Sequence, residues 1–199
     1  MRKLLFVFLI SYGFVANAQA DLAKTANDVS PLLIGEVVPN ITIQNIDQKD
    51  ISLNEITKAK KTILVFYRGG WCPYCTVHLS AIGEAEQKLI EMGYQIVAVS
   101  PDSPKSLKNT IDDKKLNYTL LSDSKGDLAR ALGIAFIAPK GYDKYLSKGS
   151  DGANTTYVPV PSVFILNEKS EILFEFINPS YNTRISNEML LAVAKTLSK

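Results

Sequence analysis

Apolar positions along this 199-residue chain recur with two spacings, every second residue in some stretches and every three to four in others, so strands and helices alternate. Residues 41–46 alternate apolar and polar side chains and predict a half-buried strand, and residues 51–56 read as a short return segment and turn. Residues 62–67 form a continuous apolar run, as a central strand covered on both faces requires, and Gly69 and Gly70 end it. From Pro73 the period changes. Leu79, Ile82, Ala85, Leu89 and Ile90 share one face of a helix reaching about Met92, with Pro73 in its first turn and Gly93 as its C-cap. A strand over 94–100, a helix over 104–114, a strand over 118–121 and a short helix over 124–132 closed by Gly133 follow. Residues 134–157 show no clear period and are rich in Lys, Gly, Ser and Asp, which predicts a long loop or lid. A hairpin of strands over 162–166 and 171–176, then an amphipathic helix over 185–197, complete the pattern. This order predicts an α/β class with a mixed central sheet flanked by helices.

Composition narrows the picture without changing it. With 46% hydrophobic and 21% charged residues, no repeat and no low-complexity tract, the chain suits one globular domain. Its first twenty residues read as an address. Arg2 and Lys3 precede a short apolar stretch, and Ala16-Asn17-Ala18 and Ala18-Gln19-Ala20 both offer small-x-small cleavage patterns. The expected plan is a signal peptide over 1–20 cut after Ala18 or Ala20, a polar lead over 21–33 and one domain over 34–199. Residues 21–30 are expected to be loosely ordered. An N-terminal anchor is the competing reading of the leader. An exported protein results, periplasmic if the source is Gram-negative, with no membrane attachment of the mature form. Without Arg2 and Lys3 the charges balance at 20 of each sign, which leaves no electrostatic footprint for nucleic acid or an anionic membrane surface.

Export bears on the two cysteines, since an exported Cys pair can be oxidised on arrival. Cys72 and Cys75 frame Trp71-Cys72-Pro73-Tyr74-Cys75 between a strand and a helix. A helix N-terminus offers unpaired N–H groups and a positive dipole end, which favour thiolate over thiol. At this spacing one sulfur can attack a partner and the other resolve the mixed intermediate. Cys72, before the helix, is expected to be the more exposed attacking sulfur, and Cys75 the more sheltered. Two blander readings compete. A structural disulfide closing so short a loop contributes only ~2 kcal/mol. A metal site of Cys72, Cys75 and His78 would need carboxylates or water besides, because His78 is the chain's single histidine. Redox chemistry is preferred, with no cofactor and no metal. Pro161, opening the strand at Ser162, either holds a cis bond beside the pair or simply begins the strand.

Phe66-Tyr67-Arg68-Gly69-Gly70-Trp71-Cys72-Pro73-Tyr74-Cys75 resembles the peroxiredoxin-like branch of the alkyl hydroperoxide reductase/thiol-specific antioxidant superfamily. Val97 to Ser103, Leu121-Ser122-Asp123 with Leu128 to Ile134, and Pro159 to Ile165 are similar to its later core segments, so the likeness covers nearly the whole mature chain. The resemblance implies a thioredoxin fold with an N-terminal extension, a cis-proline at Pro161, and Cys75 in the position that attacks peroxide. Cys72 then replaces the family's threonine, and Pro161-Ser162 stands where an activating arginine would be expected. Arg68 either substitutes for that arginine or is an exposed strand-end charge. His78 either shuttles protons near neutrality or faces solvent, the latter preferred. Trp71 and Tyr74 flank the sulfurs as a contact surface or as packing. Tyr181 and Arg184 lie in the connection to the last helix, and nothing in the sequence places them at the site.

Because of those departures the first expectation is an exported thiol–disulfide oxidoreductase acting on protein thiols or disulfides. The alternative is a thiol-dependent peroxidase with Cys75 attacking a hydroperoxide and Cys72 resolving, recharged by an unidentified thiol donor. A non-catalytic binding module is the third.

Overall fold

The computed structural model of the protein describes residues 22–198, so the leader and its cleavage sites lie outside the described residues. The elements are β1 (Thr42–Asn45), β2 (Asp50–Ser52), α1 (Leu53–Thr57), β3 (Lys61–Phe66) and α2 (Pro73–Glu91). Next come β4 (Tyr94–Ser100), α3 (Pro104–Lys114), β5 (Thr119–Ser122), α4 (Asp127–Ala131) and β6 (Ala135–Ile137). The chain ends with α5 (Asp143–Gly149), β7 (Tyr157–Pro159), β8 (Ser162–Leu166), β9 (Ile172–Ile177) and α6 (Asn187–Leu197).

Seven strands make a mixed sheet in the order β2-β1-β5-β4-β3-β8-β9. At its centre β3 pairs parallel with β4 (Leu64 opposite Val97) and antiparallel with β8 (Leu64 opposite Phe164). Its residues alternate between two cores, because successive strand side chains point to opposite faces. Ile63 and Val65 meet Leu79, Ile82 and Leu89 of α2, Leu107 of α3 and Leu190 of α6. Leu64 and Phe66 meet Leu128, Leu132, Ile134, Tyr157 and Val158 on the other side. Burial on both faces explains the uninterrupted apolar run of β3, and the mixed α/β architecture agrees with the sequence pattern.

Three segments differ from expectation. The return segment at 51–56 splits into β2 and a short helix, which Ser52 and Glu55 start with a reciprocal capping box. The stretch 134–157 is not one irregular loop. β6 and β7 pair antiparallel around Phe136 and Val158, and α5 lies between them, anchored by Leu146. Three-residue strands and a seven-residue helix with one buried side chain are too short to show a period. The segment after residue 21 is also pinned rather than loose. Ala23 bridges Phe136, the Ser30 N–H donates to the Gly133 carbonyl at 3.1 Å, and Leu22, Ala26 and Val29 pack on the core. At the end of α2, Ile90 leaves the apolar face and is exposed.

Candidate functional site: a buried dithiol between two arginines

The site begins where the sheet hydrogen bonding gives out. The Tyr67 N–H still donates to the Val99 carbonyl (3.1 Å), and then the chain turns through Gly69 at φ +138. A Cβ on Gly69 would stand 2.4 Å from Trp71 Nε1, so this turn requires glycine. Asp102, just beyond β4, accepts the Gly70 N–H at 2.7 Å, and the Cys72 N–H returns to the Gly69 carbonyl at 3.1 Å. The loop thus delivers Cys72 as the N-cap of α2, with Pro73 in the first turn and Cys75 one turn in.

Both thiols are free and buried, Cys72 2% exposed and Cys75 0%. The expected order of shelter holds, but Cys72 is far from open. The Cys72 thiol is lowered to about 6, first by the hydrogen bond from the Cys75 thiol, then by the Cys75 backbone N–H and the charges of Arg68 and Arg184, with burial opposing. Cys75 is raised well above an ordinary thiol by holding the shared proton and by burial, while the Arg68 backbone N–H and Arg184 pull the other way. The pair therefore gives up its first proton below neutrality and keeps the second.

Arg184 Nη2 stands 3.6 Å from Cys75 Sγ. Sequence reasoning could not find this cation, because it comes from the β9–α6 connection, 109 residues away. Arg68 is 4% exposed and not an exposed strand-end charge. Its guanidinium lies over Trp71, Tyr142 and Tyr181 at 5.0, 4.8 and 4.6 Å from the ring centroids. Trp71 in turn stacks on Tyr145 of α5, and Tyr74 meets Tyr181 edge to face. Trp71 is thus packing within an aromatic cage, whereas Tyr74 remains 49% exposed in the first turn of α2. The stretch expected to be a long loop or lid supplies Tyr142 and Tyr145, a role that tertiary contact alone reveals.

Two further expectations are corrected. His78 does not face solvent: it is 7% exposed, on the α2 face that also carries Cys75, Leu79 and Ile82, and covered on the side of Arg184. Burial first and then Arg184 push its imidazole down to about 4, so it stays neutral near pH 7 and does not cycle a proton there. Pro161 does open β8, but no peptide bond among the described residues is cis. Pro161 lies in the two-residue link between β7 of the small sheet and β8 of the large one, and its bond takes the trans form that is the lower in energy for X–Pro. Among the described residues no three His, Cys, Asp or Glu side chains converge as metal ligands.

Two openings adjoin the two arginines, one at Arg184 and one at Arg68. A groove of about 480 Å³ is lined by Tyr74, Val77, His78, Arg184 and Ile185. A cavity of about 360 Å³ lies on the Arg68 side and includes Pro161, Phe136 and Tyr181. The family model described as the AhpC/TSA family matches residues 34–174, well over half of the chain. The chain belongs to the AhpC/TSA family. A Haemophilus influenzae protein named as a bcp peroxiredoxin is 27% identical over 169 residues, 85% of this chain and 100% of its own. Peroxiredoxin bcp1 of Schizosaccharomyces pombe is 32% identical over 111 residues, covering 56% of this chain and 57% of its own. Among solved structures, reduced Prx3 of Vibrio vulnificus in complex with hydrogen peroxide superposes with a TM-score of 0.71 at 17% identity, over 82% of this chain and 99% of that one. Peroxidoxin BcpB of Mycobacterium tuberculosis gives 0.67 at 16% identity, over 82% and 97%. These likenesses show the thioredoxin fold of the peroxiredoxins. This AhpC/TSA protein is a thiol-dependent oxidoreductase. The relatives support its peroxidase side, and the protein-disulfide exchange placed first from sequence finds no support among them.

Proposed function

We propose that this AhpC/TSA protein is a thiol-dependent peroxidase in which Cys75 attacks the hydroperoxide and Cys72 resolves. The observation that carries this reading is the Arg184 guanidinium on Cys75 Sγ, facing the Tyr74–Ile185 groove through which a peroxide would arrive. Before attack, the shared proton moves from Cys75 to Cys72 across their hydrogen bond, leaving the thiolate beside Arg184. That thiolate attacks the terminal peroxide oxygen. The O–O bond breaks and Cys75 becomes a sulfenic acid. The alkoxide or hydroxide takes a proton from solvent and leaves as alcohol or water, while Cys72 keeps its own proton for the next step. Cys72 then displaces hydroxide from the sulfenic sulfur, which departs as water and closes the Cys72–Cys75 disulfide. An external thiol donor restores the dithiol with two electrons and two protons. Arg184 stabilises negative charge first on sulfur and then on the departing oxygen.

Substitution tests the assignment. Cys75→Ser should abolish peroxide turnover. Cys72→Ser should keep a single turnover and accumulate a sulfenic acid at Cys75, trapped by dimedone and located by mass spectrometry. Dimedone at Cys72 in Cys75→Ser, with rapid peroxide consumption, would reverse the two roles. We further propose that the leader is removed after Ala18 or Ala20 on export, which N-terminal sequencing of protein recovered outside the cytoplasm checks.

A further inference from the structure

The cavity on the Arg68 side has no part in the reaction just described, yet it is built around a buried cation. Beyond Arg68 its walls are mostly apolar (Phe136, Ile137, Ala138, Pro161), Lys24 stands in its lining, and among the described residues no Asp or Glu lines it. Among the described residues Arg68 Nε is buried with no hydrogen-bond partner, and Arg68 has no ion-pair partner. Three aromatic rings cover the guanidinium, which stabilises it but offers no acceptor for its N–H groups.

The dithiol does not balance this charge. It carries one thiolate near neutrality, and two guanidiniums, Arg68 and Arg184, act on it. One cation is left over. Burying a charge without a counter-ion is costly, and a planar guanidinium is matched by a planar carboxylate. The cavity, at about 360 Å³, lies within the roughly 300–1,000 Å³ of small-molecule sites.

We infer that this cavity is a binding site for a small amphipathic organic acid, its carboxylate on Arg68 and its apolar body along Phe136, Ile137 and Pro161. The occupied site is read by the dithiol. The carboxylate neutralises one of the two cations that favour the Cys72 thiolate, so the pair holds its proton more firmly when the acid is bound. The inference rests on Arg68 and its cavity, and the peroxidase assignment is judged separately by dimedone labelling.

The probe is octanoate, with octanol as the neutral control of equal length, titrated into the reduced protein. Trp71, the chain's single tryptophan and a direct neighbour of Arg68, reports occupancy by its fluorescence. Octanoate should bind at least tenfold more tightly than octanol, and Arg68→Met should abolish that preference. At pH 5.5, below the dithiol's midpoint of about 6, octanoate but not octanol should slow alkylation of the dithiol by iodoacetamide severalfold. If Arg68→Met does not fold, Lys24→Gln at the solvent side should weaken octanoate severalfold while leaving octanol unchanged. Equal affinities for the two probes, or no response of Trp71 to either, would overturn the site and leave the peroxidase reading standing. Octanoate binding in a protein that turns over no peroxide would do the opposite.

Discussion

Replacing Arg184 by Met isolates the charge at Cys75, because methionine keeps much of the apolar stem. Two unit charges at this separation, 3.6 Å, would interact by ~4–5 kcal/mol in a medium of effective dielectric about 20. That is an upper bound for Arg184, which is only partly buried at a protein edge open to the groove. A charge-assisted hydrogen bond contributes ~1.5–3 kcal/mol, and the long N···S contact argues for the lower end. About 1.5 kcal/mol corresponds to about one pH unit in thiol ionisation. The lost stabilisation falls on the Cys75 thiolate, whereas the midpoint of about 6 belongs to Cys72, on which Arg184 is the smallest of the lowering influences, so that midpoint rises by well under one pH unit. The same loss in the transition state slows peroxide reduction about tenfold. The assay is the pH profile of iodoacetamide alkylation, run beside stopped-flow Trp71 fluorescence with peroxide. Arg184→Lys should recover part of both, since a point cation restores charge without the planar fork. A midpoint unmoved by Arg184→Met, with a peroxide rate within about twofold of the parent, would refute Arg184 as the activating cation.

Other expectations follow from the burial of single groups. Burial raises Asp102 to about 6 and Asp123 to about 7, so the folded chain keeps these protons at pH values where the unfolded chain has lost them. Their stabilisation is complete below about pH 4 and falls by up to about 1.4 kcal/mol per pH unit for each group as pH rises towards 7. Urea denaturation should therefore show Asp102→Asn gaining on the parent between pH 4.5 and pH 7.5, and an equal difference at both pH values would contradict this. His78→Gln should leave the alkylation profile unaltered above pH 5, because the imidazole ionises only near about 4; a displaced midpoint would restore His78 as a proton carrier. Gly133→Ala should destabilise the fold by ~2 kcal/mol or more and free the N-terminal segment for limited proteolysis. Gly133 sits at φ +68, and a Cβ there would fall 2.0 Å from the Ser30 carbonyl oxygen. Unchanged melting and cleavage would mean the segment is held otherwise.

The fold was legible wherever burial is one-sided or complete over a long enough stretch. The apolar run at β3, the helical face of α2 from Leu79 to Leu89 and the hairpin of β8 and β9 each carry many apolar positions, and burial of each position acts locally. Where an element is short and its partner distant, the pattern fades. β6 rests on β7 and on Ala23, and only the folded chain shows that these three segments need one another.

The site divides along the same line. The cysteine pair, the proline in its first turn and the preceding glycines stand within seven residues of one another, so backbone geometry and spacing settled where the redox chemistry lies. Its electrostatics were decided in three dimensions. Arg184 reaches Cys75 across 109 residues of sequence, and Tyr142, Tyr145 and Tyr181 arrive from two separate connections to enclose Arg68 and Trp71. Ionisation depends on charge and solvent within a few ångströms, whatever the separation along the chain. The sequence by itself therefore named the sulfurs, and the tertiary structure determined which cations act on them.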